Sequence, residues 1–186
     1  MKRKLSRFWF LGLPCLLLSM SAAQSDFCQN NLPPSNPDAV YIDHGDGTVT
    51  DTRTGLMWKQ CAEGLSDATC QTGSAQTFPW RSSLAQAEAG AFAEYSDWRL
   101  PNAKELLSLV EACRVYPAIN ANFFPNTPLS PIGFGGDSRP WFWSSSPSYH
   151  HSNAAWVVEF RHGNDGNKNR RSSFSVGHVR LVRGGQ

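Results

Sequence analysis

The sequence predicts an α+β domain in which two helices pack on short antiparallel sheets, stapled by disulfides. Three observations carry this. Helical periodicity is confined to two neighbouring stretches, near 82–89 and 102–110. Short β-branched and aromatic runs lie on both flanks, at 40–58 and again from 141 onward. Four cysteines, Cys28, Cys61, Cys70 and Cys113, follow the N-terminal apolar segment. Helices bunched between runs of strands argue against a doubly wound parallel sheet, which needs the two in alternation.

The chain begins with Lys2, Arg3, Lys4 and Arg7, then an apolar run over 8–20 and the small exit Ser21-Ala22-Ala23. This is the pattern of a cleaved export signal occupying residues 1–23. The run is too short, and too broken by Gly12 and Pro14, to span a membrane. Cys15 raises the alternative of a lipoprotein, but Pro14 stands where that processing needs a small residue. The expected product is secreted or periplasmic, with no membrane span after cleavage. Of 17 Lys+Arg the signal holds four, so thirteen basic residues face 15 acidic ones and the mature net charge is −2. The basic character of the whole chain is therefore no sign of nucleic-acid binding.

Residues 24–38 are polar, carry Pro33, Pro34 and Pro37, and read as a flexible leader into a domain at 39–186. The remaining chain, about 160 residues, suits one domain with an ordinary core. In an oxidising compartment four cysteines form two disulfides, with three possible pairings. Cys61 and Cys70 flank a Gly/Ser/Asp-rich stretch and pair locally, which leaves Cys28 to Cys113. A zinc site would need tighter C-x₂₋₄-C pairs, and the sequence has none.

Three short strands are expected first, around Val40-Tyr41-Ile42, Thr48-Val49-Thr50 and Leu56-Met57-Trp58. The stretch that links them, DHGDGTVTDTRTGLMW, has the look of a calcium loop. Counted from Asp43 as an EF-hand, positions three, five, six and twelve are Gly45, Gly47, Thr48 and Thr54, and the ligand pattern fails at each. The same residues suit two tight turns, Gly45-Asp46-Gly47 and Arg53-Thr54-Gly55. The first helix spans 82–89, with Ser82 or Ser83 as cap and Gly90 as stop. The second starts at Asn102 as cap with Glu105 three residues on, and Leu106, Leu107, Leu109 and Val110 form its apolar stripe. Residues 114–140 form a long irregular excursion rich in Pro, Asn and Gly, a common place for function. Strands return at 141–145 and 156–160, then a polar loop at 164–173, then a final piece over 178–183.

Several phrases are specific. Gly45-Asp46-Gly47-Thr48-Val49-Thr50-Asp51, Thr54-Gly55-Leu56-Met57-Trp58, Tyr95-Ser96-Asp97-Trp98-Arg99-Leu100-Pro101-Asn102, Trp143-Ser144-Ser145-Ser146 and Val179-Arg180-Leu181-Val182-Arg183 occur in that order. Together they resemble the Lcl C-terminal domain family over residues 41–183. The resemblance implies a C-type-lectin-like fold, in the branch shared with formylglycine-generating sulfatase-modifying enzymes. It also implies a link to a bacterial collagen-like adhesin whose C-terminal domain binds sulfated glycosaminoglycans and forms trimers, so an oligomer is possible. It names a scaffold more than an activity.

Catalysis finds little support in the residues. Formylglycine-generating enzymes hold copper through a cysteine pair near the C-terminus, and no cysteine follows Cys113. No HExxH, Gly-x-Ser-x-Gly or P-loop occurs. Ser144, Ser145 and Ser146 beside His150 and His151 suggest a nucleophile, but hydroxyls at a strand end more often bond nearby backbone. Adjacent histidines on a strand point to opposite faces and rarely share one ion, even with His162 or His178 added. The Glu-Pro-Asn, Gln-Pro-Asp and Trp-Asn-Asp phrases of calcium-dependent lectins are missing. No cofactor, metal or catalytic residue is assigned.

What remains is charge and aromatic surface. From residue 159 to the end, Arg161, Lys168, Arg170, Arg171, Arg180 and Arg183 stand against Glu159 and Asp165, a local excess of four in a chain of net −2. Guanidinium groups take sulfate or carboxylate as bidentate partners. Trp58, Trp98, Trp143 and Trp156 read as core, whereas Trp80 and Trp141 are free to be exposed. The expected ligand site is Arg161, Lys168, Arg170 and Arg171 with Trp141, contacting a sulfated or acidic glycan or a cell-surface partner, together with the 114–140 loop. A structural envelope module without a small ligand is the alternative, and a relative of the formylglycine-generating oxidases the third.

Overall fold

The computed structural model of the protein describes residues 28–29, 31–130 and 139–184; the expected export signal and residues 131–138 of the long excursion lie outside them. After a 3₁₀ turn at Asp38–Val40, the first half holds β1 (Tyr41–Asp43), β2 (Thr48–Asp51), β3 (Leu56–Lys59), β4 (Leu65–Ser66), β5 (Thr72–Gly73) and β6 (Phe78–Pro79). Two helices follow, α1 (Trp80–Glu88) and α2 (Ala103–Ser108). The second half holds β7 (Trp141–Pro147), β8 (Ala154–Glu159), β9 (Asp165–Asn169), β10 (Val176–Gly177) and β11 (Val182–Arg183). The architecture is α+β: a four-stranded sheet in the order β1-β2-β3-β11, a three-stranded sheet β7-β8-β9, and the small pairs β4-β5 and β6-β10, all antiparallel.

The apparent calcium loop is a meander. Tyr41 faces Asp51 across β1 and β2, and Val49 faces Trp58 across β2 and β3. The acids serve the turns. Asp43 Oδ1 accepts the Gly45 amide at 2.8 Å, and Asp46 Oδ1 accepts the Thr48 amide at 2.9 Å and its hydroxyl at 2.6 Å. The Thr48 hydroxyl holds the Asp46 carboxyl below its usual pKa. Gly47 has φ +85°, and a Cβ there would sit 2.9 Å from the Phe92 ring, so only glycine fits.

The β7-β8 part of the three-stranded sheet carries buried residues on both faces. Trp141, Trp143, Ala155 and Val157 meet Ala87, Trp98, Leu100, Val179 and Leu181 on one side. Phe142 and Val158 meet Leu106, Leu109, Ile119, Phe124 and Phe160 on the other, continuous with Val49 and Trp58 of the first sheet. Alternation of side chains along each strand sends neighbours into the two cores. α2, six residues long, is far below the length at which a helix persists alone. It stands because Leu106 and Leu109 are fully buried and because Asn102 and Glu105 close a capping box. α1 departs from expectation: it starts at Trp80, ahead of the serines. Ser83 lies inside it and bonds back to the Pro79 carbonyl at 3.2 Å.

Both disulfides pair as the spacing implied, Cys61 with Cys70 and Cys28 with Cys113. The supposed flexible leader is tied down where it is described. Burial would raise the Glu111 carboxyl, but amides of Cys113, Ser35 and Asn36 and the Ser35 hydroxyl bond to it and hold it low. Within the long excursion Ala118, Ile119 and Phe124 are each within 1% of complete burial, so this stretch supplies part of the core, whereas Val115 and Tyr116 beside them are exposed.

Candidate functional site

β9 is the feature that the expected polar loop concealed. Asp165, Gly166, Asn167, Lys168 and Asn169 pair in register with Val158 back to Ala154, forming the outer strand of the sheet. Nothing in Asp-Gly-Asn-Lys-Asn favours a strand; the pairing is imposed by the hydrophobic β8 beside it. Gly166 is required there, since a Cβ would lie 3.1 Å from the Trp141 ring.

Along this strand the structure sorts the predicted cations. Lys168 and Arg170 project to the same side, two residues apart, and both are half-buried. The Arg170 guanidinium lies over the Trp80 ring at 5.0 Å and donates to the Ser152 carbonyl at 3.1 Å. Its amide also donates to the Asn153 carbonyl at 2.8 Å, which ties the β9 end to the β7–β8 turn. Arg171 beside it is exposed, and so is Phe174, 95% open to solvent. Arg161 sits at the opposite end, in the β8–β9 turn, over the Tyr116 ring at 4.6 Å. The five residues of β9 separate the two ends by about 14 Å, beyond the ~10 Å screening length of 0.1 M salt. The cations thus form two independent contact points.

One expected ligand contact is overturned here, and two of the cations counted in the C-terminal excess prove structural. Trp141 is 3% exposed and packs in the core over Gly166, so its face is closed to any ligand. Arg180 is fully buried, donating to the carbonyls of Lys59 and Gln60 and to the Thr127 hydroxyl at 2.8 Å, with its guanidinium over Phe124 and Phe142. Arg183 is engaged with Asp97 at 2.7 Å and stacks on Tyr95 at 3.8 Å. That hydrogen bond holds the Asp97 carboxyl below its usual range. Two of the six C-terminal cations are therefore structural. Trp156, expected in the core, is only partly buried, because it points to the face opposite Val157, where it lines an open groove beside α2.

The serine cluster serves the backbone. The buried Ser144 hydroxyl donates to the Trp156 carbonyl at 2.8 Å, and Ser146 Oγ accepts the Ala103 amide at 3.0 Å. His178 is buried at 3% exposure, its Nδ1 3.1 Å from the Gln76 carbonyl. A carbonyl only accepts, so Nδ1 carries the proton and Nε2 is left without a partner among the described residues. Burial holds this imidazole near a pKa of about 4, neutral at ordinary pH. His150 and His151 are exposed on the β7–β8 turn.

The phrases that cap α2, turn the meander and close the sheet at β11 coincide with a family pattern. The family model of the Lcl C-terminal domain matches residues 47–183. The chain belongs to the Lcl C-terminal domain family. No curated protein matches it. In this Lcl C-terminal domain the pattern falls on scaffold: Asn102 and Glu105 on the cap, Trp98 and Trp143 in the core, Arg180 under the sheet. The β9 cations lie in the same span, but their stacking partners Trp80 and Tyr116 follow from tertiary packing alone. Among the described residues no helix is long and apolar enough to cross a membrane.

Proposed function

We propose that this Lcl C-terminal domain is an exported, non-catalytic binding module of C-type-lectin-like fold that holds an acidic or sulfated polysaccharide along the β9 edge. The observation that carries the reading is Arg170, fixed between the Trp80 ring and the Ser152 carbonyl, with exposed Arg171 next to it and Lys168 on its own side of the strand. A stacked guanidinium keeps its outer N–H edge turned to solvent in one geometry, so less entropy is lost when it grips a sulfate or carboxylate. Arg161 on Tyr116 supplies a second grip at the far end, a spacing that suits a chain polymer and not a single small anion. The reading of Ser144 as a nucleophile is weakened by the commitment of its hydroxyl to backbone.

The test is elution of the protein from immobilised heparin in a salt gradient, with and without EDTA. Retention at low salt is expected, unchanged by EDTA, and the double variant Arg170→Ala/Arg171→Ala elutes far earlier. No retention at low salt refutes the reading. Loss of retention in EDTA would make a divalent cation part of the site.

A further inference from the structure

On the face of the β7-β8-β9 sheet opposite Lys168 and Arg170, a groove of about 440 Å³ runs between α2 and the β7–β8 turn. Its size is within the usual range of small-ligand sites, roughly 300–1,000 Å³. Half-exposed Trp156 lies along it, and Tyr149, 80% exposed, and Leu107, 36% exposed, stand at its sides. Lys104 from α2 and Asp165 from β9 contribute the charges.

The indole of Trp156 differs from its neighbours. Trp80, Trp98 and Trp143 each donate their ring N–H to a backbone carbonyl, of Ser144, Phe92 and Phe78. The Trp156 N–H donates to none of the described residues, and it is not among the buried polar atoms left unpaired, so it faces water. The Lys104 ammonium and the Asp165 carboxylate likewise engage no described residue, and they make no ion pair with each other. The groove thus combines an apolar ring face, one free carboxylate that only accepts, and an ammonium and an indole N–H that only donate. Its fixed charges cancel.

An anion would meet Asp165 and a cation would meet Lys104, so neither is favoured. A ring with one apolar face and a rim of hydroxyls, each both donor and acceptor, satisfies every group at once. We infer that this groove is a binding site for an uncharged pyranose residue, stacked on Trp156 and Tyr149, with hydroxyls bonded to Asp165 and Lys104. It is separate from the acidic-glycan edge, on the other face of the same sheet, and stands without it.

Isothermal titration of the protein with cellotriose, maltotriose, mannotriose and galactotriose tests this. At least one should bind with a dissociation constant tighter than about 10 mM. Trp156→Ala should weaken that binding more than about tenfold, Asp165→Asn severalfold, and Trp156→Phe least. Should Trp156→Ala fail to fold, the exposed rim variants Tyr149→Ala and Asp165→Asn decide. The inference is overturned if none of the four binds, if Trp156→Ala or the rim variants bind like the parent, or if a heparin fragment displaces the bound trisaccharide, since charge would then carry the site.

Discussion

His178 makes stability depend on pH in a window where little else in the fold is so strongly perturbed. Its ring is packed against Phe142 at 5.3 Å, its Nδ1–H is spent on the Gln76 carbonyl, and Arg180 is close by. Burial lowers its pKa from 6.5 to about 4; the Gln76 carbonyl opposes this in part, and nearby Arg180 adds a smaller push downward. The unfolded chain takes up a proton as pH falls through 6.5, whereas the folded protein does not until about 4. Stability is therefore fully present above pH 6.5 and is lost as pH falls toward 4. Each pH unit in between removes about 1.4 kcal/mol, so the whole interval removes about 3 kcal/mol. Urea unfolding at pH 7.0 and pH 4.5 measures it, and the midpoint should drop by about 1 M or more for a slope near 2 kcal/mol/M. Stopping at pH 4.5 leaves out most of the window in which Asp46, Asp67 and Glu105, whose carboxyls are held low in the folded protein, lose their stabilising contribution as the pH falls. His178→Asn keeps a donor toward Gln76 and removes the titration, so its midpoint should fall much less over the same interval. Parallel losses in parent and variant would refute the reasoning.

Two further outcomes follow from the scaffold. Asn102→Ala removes the cap of a helix that depends on it and should cost about 1 kcal/mol in thermal or urea unfolding, with the β9 edge unaffected in heparin retention. Gly47→Ala forces a side chain into a left-handed backbone and against Phe92, and should cost about 1–2 kcal/mol before any displacement of the ring, read as a lower melting temperature.

Much of the scaffold was legible because its signals are local. A capping box needs only Asn102 and Glu105 three residues apart, and the meander needs glycines at positive φ flanked by acids that bond the next amides but one. The disulfides followed from spacing, since the short stretch between Cys61 and Cys70 invites closure. The candidate site is legible only as a cluster of cations in sequence, and two of the six, Arg180 and Arg183, are structural, because nothing local tells a buried or paired arginine from an exposed one. β9 was missed for a related reason: a polar edge strand has no hydrophobic period, and only its neighbour makes it a strand.

The sequence by itself determined the α+β class, the cross-links, the meander turns, the cap of α2 and the family, all of which rest on residues a few positions apart or on ordered phrases. Only the tertiary structure decided which side chains meet solvent. Trp141 and Trp156 lie on neighbouring strands and differ in that respect because Trp141 is packed in a closed core over Gly166, whereas Trp156, on the opposite face, lines an open groove beside α2. Exposure depends on what packs opposite a residue, and that partner comes from a distant part of the chain: Trp80 for Arg170, Tyr116 for Arg161, Gly166 for Trp141.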